Sequence, residues 1–154
     1  MGERRTLHGT YVPRCPNKYV GNAAAVIYRS SWERRFMVYC DTTPGVLQWA
    51  SEEFHIPYVS PVDGQFHRYF PDFWVVLASN TGKQTMVIEI KPESQTTMPV
   101  AKKRNTKRFL AEAATVAVNH AKWQAAELYC KNRNWKFVVL TEKHLGIKVY
   151  LCNG

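Results

Sequence analysis

Three charged residues stand where charge is costly. Asp72 follows Pro71 at the head of the apolar run FWVVLA, and Glu89 and Lys91 fall within TMVIEIK. Desolvating an unpaired carboxylate is expensive, so buried charges normally pair or hold a metal. Two readings follow. The three could neutralise one another as a structural network, with Asp72 and Lys91 a plain cross-strand ion pair. Alternatively, two carboxylates at close range repel, a divalent cation relieves the repulsion, and their oxygen donors select Mg²⁺ or Mn²⁺. Lys91, a compact ammonium on a flexible stem, suits a water or a phosphate oxygen. With a metal it could stabilise charge developing on a scissile phosphate. Glu33 is a third carboxylate, on the helix face that also carries Phe36, Met37 and Cys40; it could equally be a capping residue only.

These side chains need elements that bring them together. Ser30-Ser31-Trp32-Glu33 matches a capping box and predicts a helix over 31–39, stopped by the Asp-Thr-Thr-Pro-Gly turn at 41–45. VLQWA (46–50) and EFHIPYV (53–59) read as strands. Asp63-Gly64 is a hairpin signal before a long strand over 66–78. A second turn at Asn80-Thr81-Gly82 leads into a strand over 85–91. FWVVLA and MVIEI are apolar on both faces, as in central strands covered on two sides. Strand side chains alternate, so Val87, Glu89 and Lys91 share a face, with Glu89 and Lys91 about 7 Å apart along the strand. The hairpin places Asp72 and Glu89 where they can meet across it, and Pro71 favours a bulge or an edge beside Asp72.

Residues 107–132 predict a long helix. Its apolar positions at helical spacing are Leu110, Ala113, Ala117, Ala121 and Leu128, with Phe109, Val116 and Trp123 also close to that spacing. A buried strand over 135–141 follows, and GIKVYL (146–151) is a candidate partner beside it. The class is α/β, a mixed sheet with helices on its faces. Residues 1–25 read as an extended arm, and 26–154 as one domain.

The chain has 154 residues and a formal net charge of +9. That length builds one domain with a real core, and that charge favours a polyanionic partner, nucleic acid before membrane. Lys102, Lys103, Arg104, Lys107 and Arg108 cluster before and at the start of the long helix; Arg29, Arg34 and Arg35 surround the first. No apolar run approaches the roughly 18 residues a membrane span requires. The first eleven residues carry basic side chains but no apolar segment after them, so no signal peptide is expected. The cysteines at 15, 40, 130 and 152 form no CxxC pair, and free thiols in a reducing compartment are expected rather than zinc or a disulfide framework. The five histidines show no ligand spacing.

A Pro-Asp followed seventeen residues later by Glu-x-Lys, across a hairpin, resembles the PD-(D/E)XK nuclease superfamily. The segments IYRSSWERRFMVYCD, WASEEFHIPYVSPVDGQFHRYFPDFWV and IEIKPESQ further resemble the head-completion nuclease family of contractile-tailed phages, itself related to TnsA-type transposon endonucleases. This resemblance implies a restriction-endonuclease-like core of order α-β-β-β-α-β and Mg²⁺- or Mn²⁺-dependent cleavage of double-stranded DNA. It carries Glu33, Asp72, Glu89 and Lys91 over as the active site, the three carboxylates as metal ligands, with Gln95 as an active-site neighbour. His67 and Arg68 would contact the DNA backbone or brace the hairpin. Arg34, Arg35 and the basic cluster at 102–108 would grip the duplex. It also implies action on DNA after genome packaging, alongside head and portal proteins, in the host cytoplasm or with the virion, and no membrane. Two other readings remain: a structural adaptor with an idle site, and a transposase-like subunit that cuts only beside a partner.

Overall fold

The structure, a computed structural model, describes residues 8–100 and 106–144. The centre is a four-stranded mixed sheet built from β3 (Val46–Ser51), β6 (Phe73–Ser79), β7 (Gly82–Ile90) and β8 (Lys136–Leu140), in that spatial order. The first three are antiparallel, and β8 joins parallel to β7. A parallel neighbour needs a long crossover, which α2 (Lys107–Asn132) provides. Two short strands near the N-terminus, β1 (Gly9–Thr10) and β2 (Ile27–Tyr28), pair separately. β4 (Ile56–Val59) and β5 (Phe66–Tyr69) form an inserted antiparallel hairpin. Without the insert and the N-terminal pair, the order is α-β-β-β-α-β.

Helix α1 (Ser31–Thr42) starts as its capping box predicts: the Ser30 hydroxyl accepts the Glu33 N–H at 3.1 Å. It runs three residues beyond the expected end at 39. Asp41, a poor helix former, is kept helical by tertiary bonds: its buried carboxylate accepts the Tyr11 hydroxyl at 2.6 Å, and the N–H groups of Arg14 and Cys15 at 2.7 and 2.9 Å. These bonds lay residues 11–15 against the helix end. Tyr11 and Tyr19 then set their ring edges on buried Trp49, at centroid distances of 6.0 and 4.8 Å.

The expected single strand over 66–78 is two strands in two different sheets. Residues 70–72 separate β5, which pairs with β4, from β6, which enters the central sheet. Buried Pro71 has no N–H to continue a ladder, so the chain changes sheets there. At the next turn Gly82 adopts φ 123°, which a side chain would oppose. The β6–β7 register then runs unbroken from Ser79↔Gly82 to Phe73↔Ile88.

One face of the sheet carries Phe73, Val75, Ile88 and Ile90 against Phe36, Met37 and Cys40 of α1. Burying each large apolar side chain stabilises this layer by about 1.5–3 kcal/mol. The opposite side holds a second core, in which Ile56, Tyr58 and Tyr69 of the hairpin meet Ala126 of α2. The buried stripe of α2 differs from the expected one. Val116 is buried, as its spacing suggests, but it is joined by Asn119, Ala126 and Cys130, whereas Leu110 and Leu128 are exposed. Cys40 and Cys130 are buried and Cys15 exposed, and among the described residues no disulfide joins them. Among the described residues no helix is long and apolar enough to cross a membrane. The candidate strand at 146–151, Cys152, and Lys102, Lys103 and Arg104 lie outside the described residues.

Candidate active site

The β6–β7 register ends with Phe73 opposite Ile88, and Asp72 and Glu89 are the next residues along the two chains. Strand alternation turns both away from the α1 layer, toward the hairpin and α2. Asp72 Oδ2 accepts the backbone N–H of Ile90 at 2.8 Å. Its Oδ1 has no hydrogen-bond partner among the described residues. Glu89 is 5% exposed and accepts the Tyr69 hydroxyl on Oε2 at 2.6 Å. On its other oxygen, Oε1, the Lys91 ammonium stands at 3.5 Å. Alternation, register and the change of sheet at Pro71 thus bring together the three charges whose positions in sequence were anomalous.

The electrostatics is dominated by the burial of two adjacent carboxylates. Burial pushes the Asp72 carboxyl well above its usual range, and the adjacent Glu89 charge pushes it further; the Ile90 N–H opposes both. Burial also raises Glu89, against the pull of the Tyr69 hydroxyl, Lys91 and the Asp72 backbone N–H. Tyr69 is held protonated by burial and by the Glu89 charge. Two desolvated carboxylates, one with an unused oxygen, form a hard-oxygen donor set that fits Mg²⁺ or Mn²⁺. Asp72 and Glu89 would hold such an ion.

Glu33 occupies a different position. Its Oε2 accepts the Arg29 N–H at 3.0 Å and its Oε1 faces the Ser30 hydroxyl at 3.4 Å, which completes the cap of α1. Its charge still reaches Asp72 and contributes to the rise there. Among the described residues no group of three His, Cys, Asp or Glu side chains converges as a ligand set. The three-carboxylate arrangement expected from sequence is therefore not assembled; the capping bonds hold Glu33 back. Gln95 lies in the turn Glu93–Gln95 after β7, which is docked on α2 by Asn119 Nδ2 donating to the Gln95 carbonyl at 3.2 Å.

The candidate DNA contacts are spread over three elements. Arg34 and Arg35 are exposed on α1, with the Arg34 guanidinium 6.0 Å from the Tyr28 ring centre. His67 and Arg68 are exposed on β5, and His67 Nε2 lies 2.7 Å from Asp63 Oδ2, a contact that braces the hairpin. Lys107 and Arg108 are exposed in the first turn of α2, where Arg108 pairs with Glu112 at 3.0 Å.

Two residues at the site escaped the sequence reading. Tyr69 lies three residues before Asp72, and its tie to Glu89 depends on the break that swings β5 out of the sheet. Lys122 stands on α2 among apolar neighbours, and its ammonium is depressed by burial and by Lys91, against the pull of Glu89 and Asp72. A lone lysine at helical spacing from buried Ala126 is a signal that could have found it.

A mixed sheet entered in the order α-β-β-β-α-β, with Asp72 just before its second strand and Glu89 and Lys91 at the end of its third, is a restriction-endonuclease-like fold. The chain belongs to the TnsA-like endonuclease N-terminal family, which it matches over residues 43–142. That segment includes Asp72, Glu89, Lys91 and Gln95 and begins after Glu33. The chain is also 38% identical over 147 residues to the head completion nuclease of Enterobacteria phage T4, a match that covers 91% of this chain and 96% of that protein.

Proposed function

We propose that this protein is a metal-dependent DNA endonuclease of phage head completion, which acts after genome packaging and cuts or trims DNA before tail joining. The observation that carries the reading is the juxtaposition of Asp72 and Glu89 at the end of the β6–β7 pairing, with Lys91 on the Glu89 carboxylate. Its kinship to a head completion nuclease over nearly the whole chain supports the biological setting. Head and portal proteins are the partners that setting implies.

A hard divalent ion, when bound, supplies Lewis acidity toward the phosphoryl oxygens. The chain's own groups do the rest. Asp72 and Glu89 fix the place of cutting on the rigid end of two paired strands. Tyr69 orients Glu89 by holding one oxygen. Lys91 neutralises a phosphate oxygen or orients the attacking water. Arg34, Arg35, His67, Arg68, Lys107, Arg108 and the cluster Lys102, Lys103 and Arg104 supply backbone contacts, which are electrostatic and independent of base sequence. Glu33 and Gln95 are the further active-site residues that the family resemblance implies.

That no third ligand joins the pair among the described residues leaves room for a second reading: a subunit whose site is finished by a partner, or an adaptor with an idle site. One experiment separates these. Purified protein is incubated with linear, circular and branched duplexes, with Mg²⁺, Mn²⁺ or neither. Metal-dependent cuts that vanish in Glu89→Gln support the endonuclease. Cleavage appearing only with added head proteins supports the partner-completed site. Tailed particles formed by a virus carrying Glu89→Gln support the adaptor.

A further inference from the structure

Helix α2 carries one cation over the stretch 109–130, Lys122, whose ammonium lies within electrostatic reach of Glu89 and Asp72. The ammonium lies over two rings of the inserted hairpin, 5.8 Å from the centre of Tyr58 and 5.7 Å from that of Tyr69. Among the described residues it makes no ion pair. Lys122 and Lys91 line the same open cleft of about 380 Å³, whose walls include Asn119 and Thr115 of α2 and Val62 of the hairpin.

A lysine that only covers apolar surface runs its stem along that surface and keeps its head in water. This head is half-buried, and the rings beneath it return part of the lost hydration. The remainder comes from the two nearby carboxylates. The charges balance: two carboxylates face two ammonium groups. When a divalent cation takes the carboxylates, both ammonium groups face the cleft with no counter-charge of their own. An anion is then the natural occupant, and an ammonium matches a single phosphate as a point charge.

We propose that Lys122 and Lys91 form a phosphate subsite that takes the anionic oxygens of a DNA phosphodiester lying in this cleft, a proposal that rests on the nuclease reading. Lys122 serves as a substrate-binding residue; it holds the backbone beside the carboxylate pair and transfers no proton. Tyr58 and Tyr69 hold its ammonium in place, which ties the inserted hairpin to substrate placement.

The test is the salt dependence of binding of a short fluorescent duplex, in Ca²⁺ to block cutting, to the wild-type chain, Lys122→Gln and Lys122→Arg. One lost phosphate contact should lower the slope of log affinity against log salt by about 0.9. Lys122→Gln should show that loss, and Lys122→Arg should keep the wild-type slope. An unchanged slope in Lys122→Gln overturns the subsite. Should Lys122→Gln fail to fold, acetylation of the wild-type chain read by mass spectrometry decides: DNA should protect Lys122, and unprotected modification overturns the proposal. Failure of the nuclease reading is distinguishable. A wild type that binds with Lys122 protected but never cuts in Mg²⁺ or Mn²⁺ keeps the subsite and sinks the nuclease. A wild type that cuts while Lys122 stays unprotected does the reverse.

Discussion

The Tyr69 hydroxyl donates to Glu89 Oε2 at 2.6 Å, so the last residue of the inserted hairpin holds a carboxylate of the central sheet. The bond leaves Oε1 facing Lys91 and the site. Partners of this kind, one step removed from an ion, typically contribute 10–100-fold to its affinity. Tyr69→Phe keeps the ring and its packing and removes only the donor. We expect about a 10–100-fold loss of Mn²⁺ affinity, measured by calorimetry, with the β-sheet circular dichroism unchanged. Unaltered Mn²⁺ affinity would make Tyr69 a packing residue only.

Neutralising Asp72 should stabilise the metal-free protein. Its carboxyl is raised in the folded state by burial and by Glu89. A group with a raised folded pKa contributes stability that is present below the unfolded carboxylate range and lost as pH rises through the folded value. At pH 7 the charged pair is therefore a liability that Asp72→Asn relieves, while its amide oxygen still accepts the Ile90 N–H. We expect a higher melting temperature in chelator at pH 7, about 2–4 °C for each ~1 kcal/mol recovered. We also expect a flatter fall of stability as pH rises above the unfolded carboxylate range. Added Mn²⁺ should raise the melting temperature of the wild type and not that of Asp72→Asn. A lower melting temperature for the variant in chelator would contradict the electrostatic account.

Asp41 should behave in the opposite sense. Burial alone would raise its carboxyl, but the Tyr11 hydroxyl and the N–H groups of Arg14 and Cys15 outweigh it and hold it below its usual value. Its contribution is present above the unfolded carboxylate range and is lost as pH falls through the depressed folded value. Asp41→Ala leaves those donors without their acceptor. We expect it to cost about 2–4 kcal/mol in urea unfolding at pH 7 and to speed amide exchange at Arg14 and Cys15. Exchange as slow as in the wild type would show that Asp41 does not hold this segment.

Much of the site was legible in the sequence because the rules that build it are local. Strand alternation and the turn at Asn80-Thr81-Gly82 suffice to bring together Asp72 and Glu89, and the bounds of α2 match the expected 107–132. What was illegible depends on contacts far apart in sequence. Pro71 signalled an interruption but not the transfer of β5 to another sheet, because that choice is made by Tyr58 and Tyr69 packing on α2. Without that transfer neither Tyr69 nor Lys122 reaches the carboxylates. The inward face of α2 was misjudged because Asn119 is buried to hold the Gln95 carbonyl, a polar duty that apolar periodicity does not register.

Glu33 is the residue on which capping and chemistry compete. Glu33→Gln retains an oxygen for the Arg29 N–H, so the helix start should survive, with stability within about 0.5 kcal/mol of wild type. We expect cleavage to fall about 10-fold or more, as for loss of a group that tunes a bound ion, because the charge that reaches Asp72 is gone. Full cleavage by Glu33→Gln would restrict this residue to capping.

The central claim is that Asp72 and Glu89 jointly hold one hard cation, and Mn²⁺ binding followed by electron paramagnetic resonance tests it most directly. The wild-type chain should remove free Mn²⁺ signal with a stoichiometry of at least one, and Asp72→Asn and Glu89→Gln should each lose that binding. Mn²⁺ uptake equal to wild type in both variants, or none by the wild type, would contradict it.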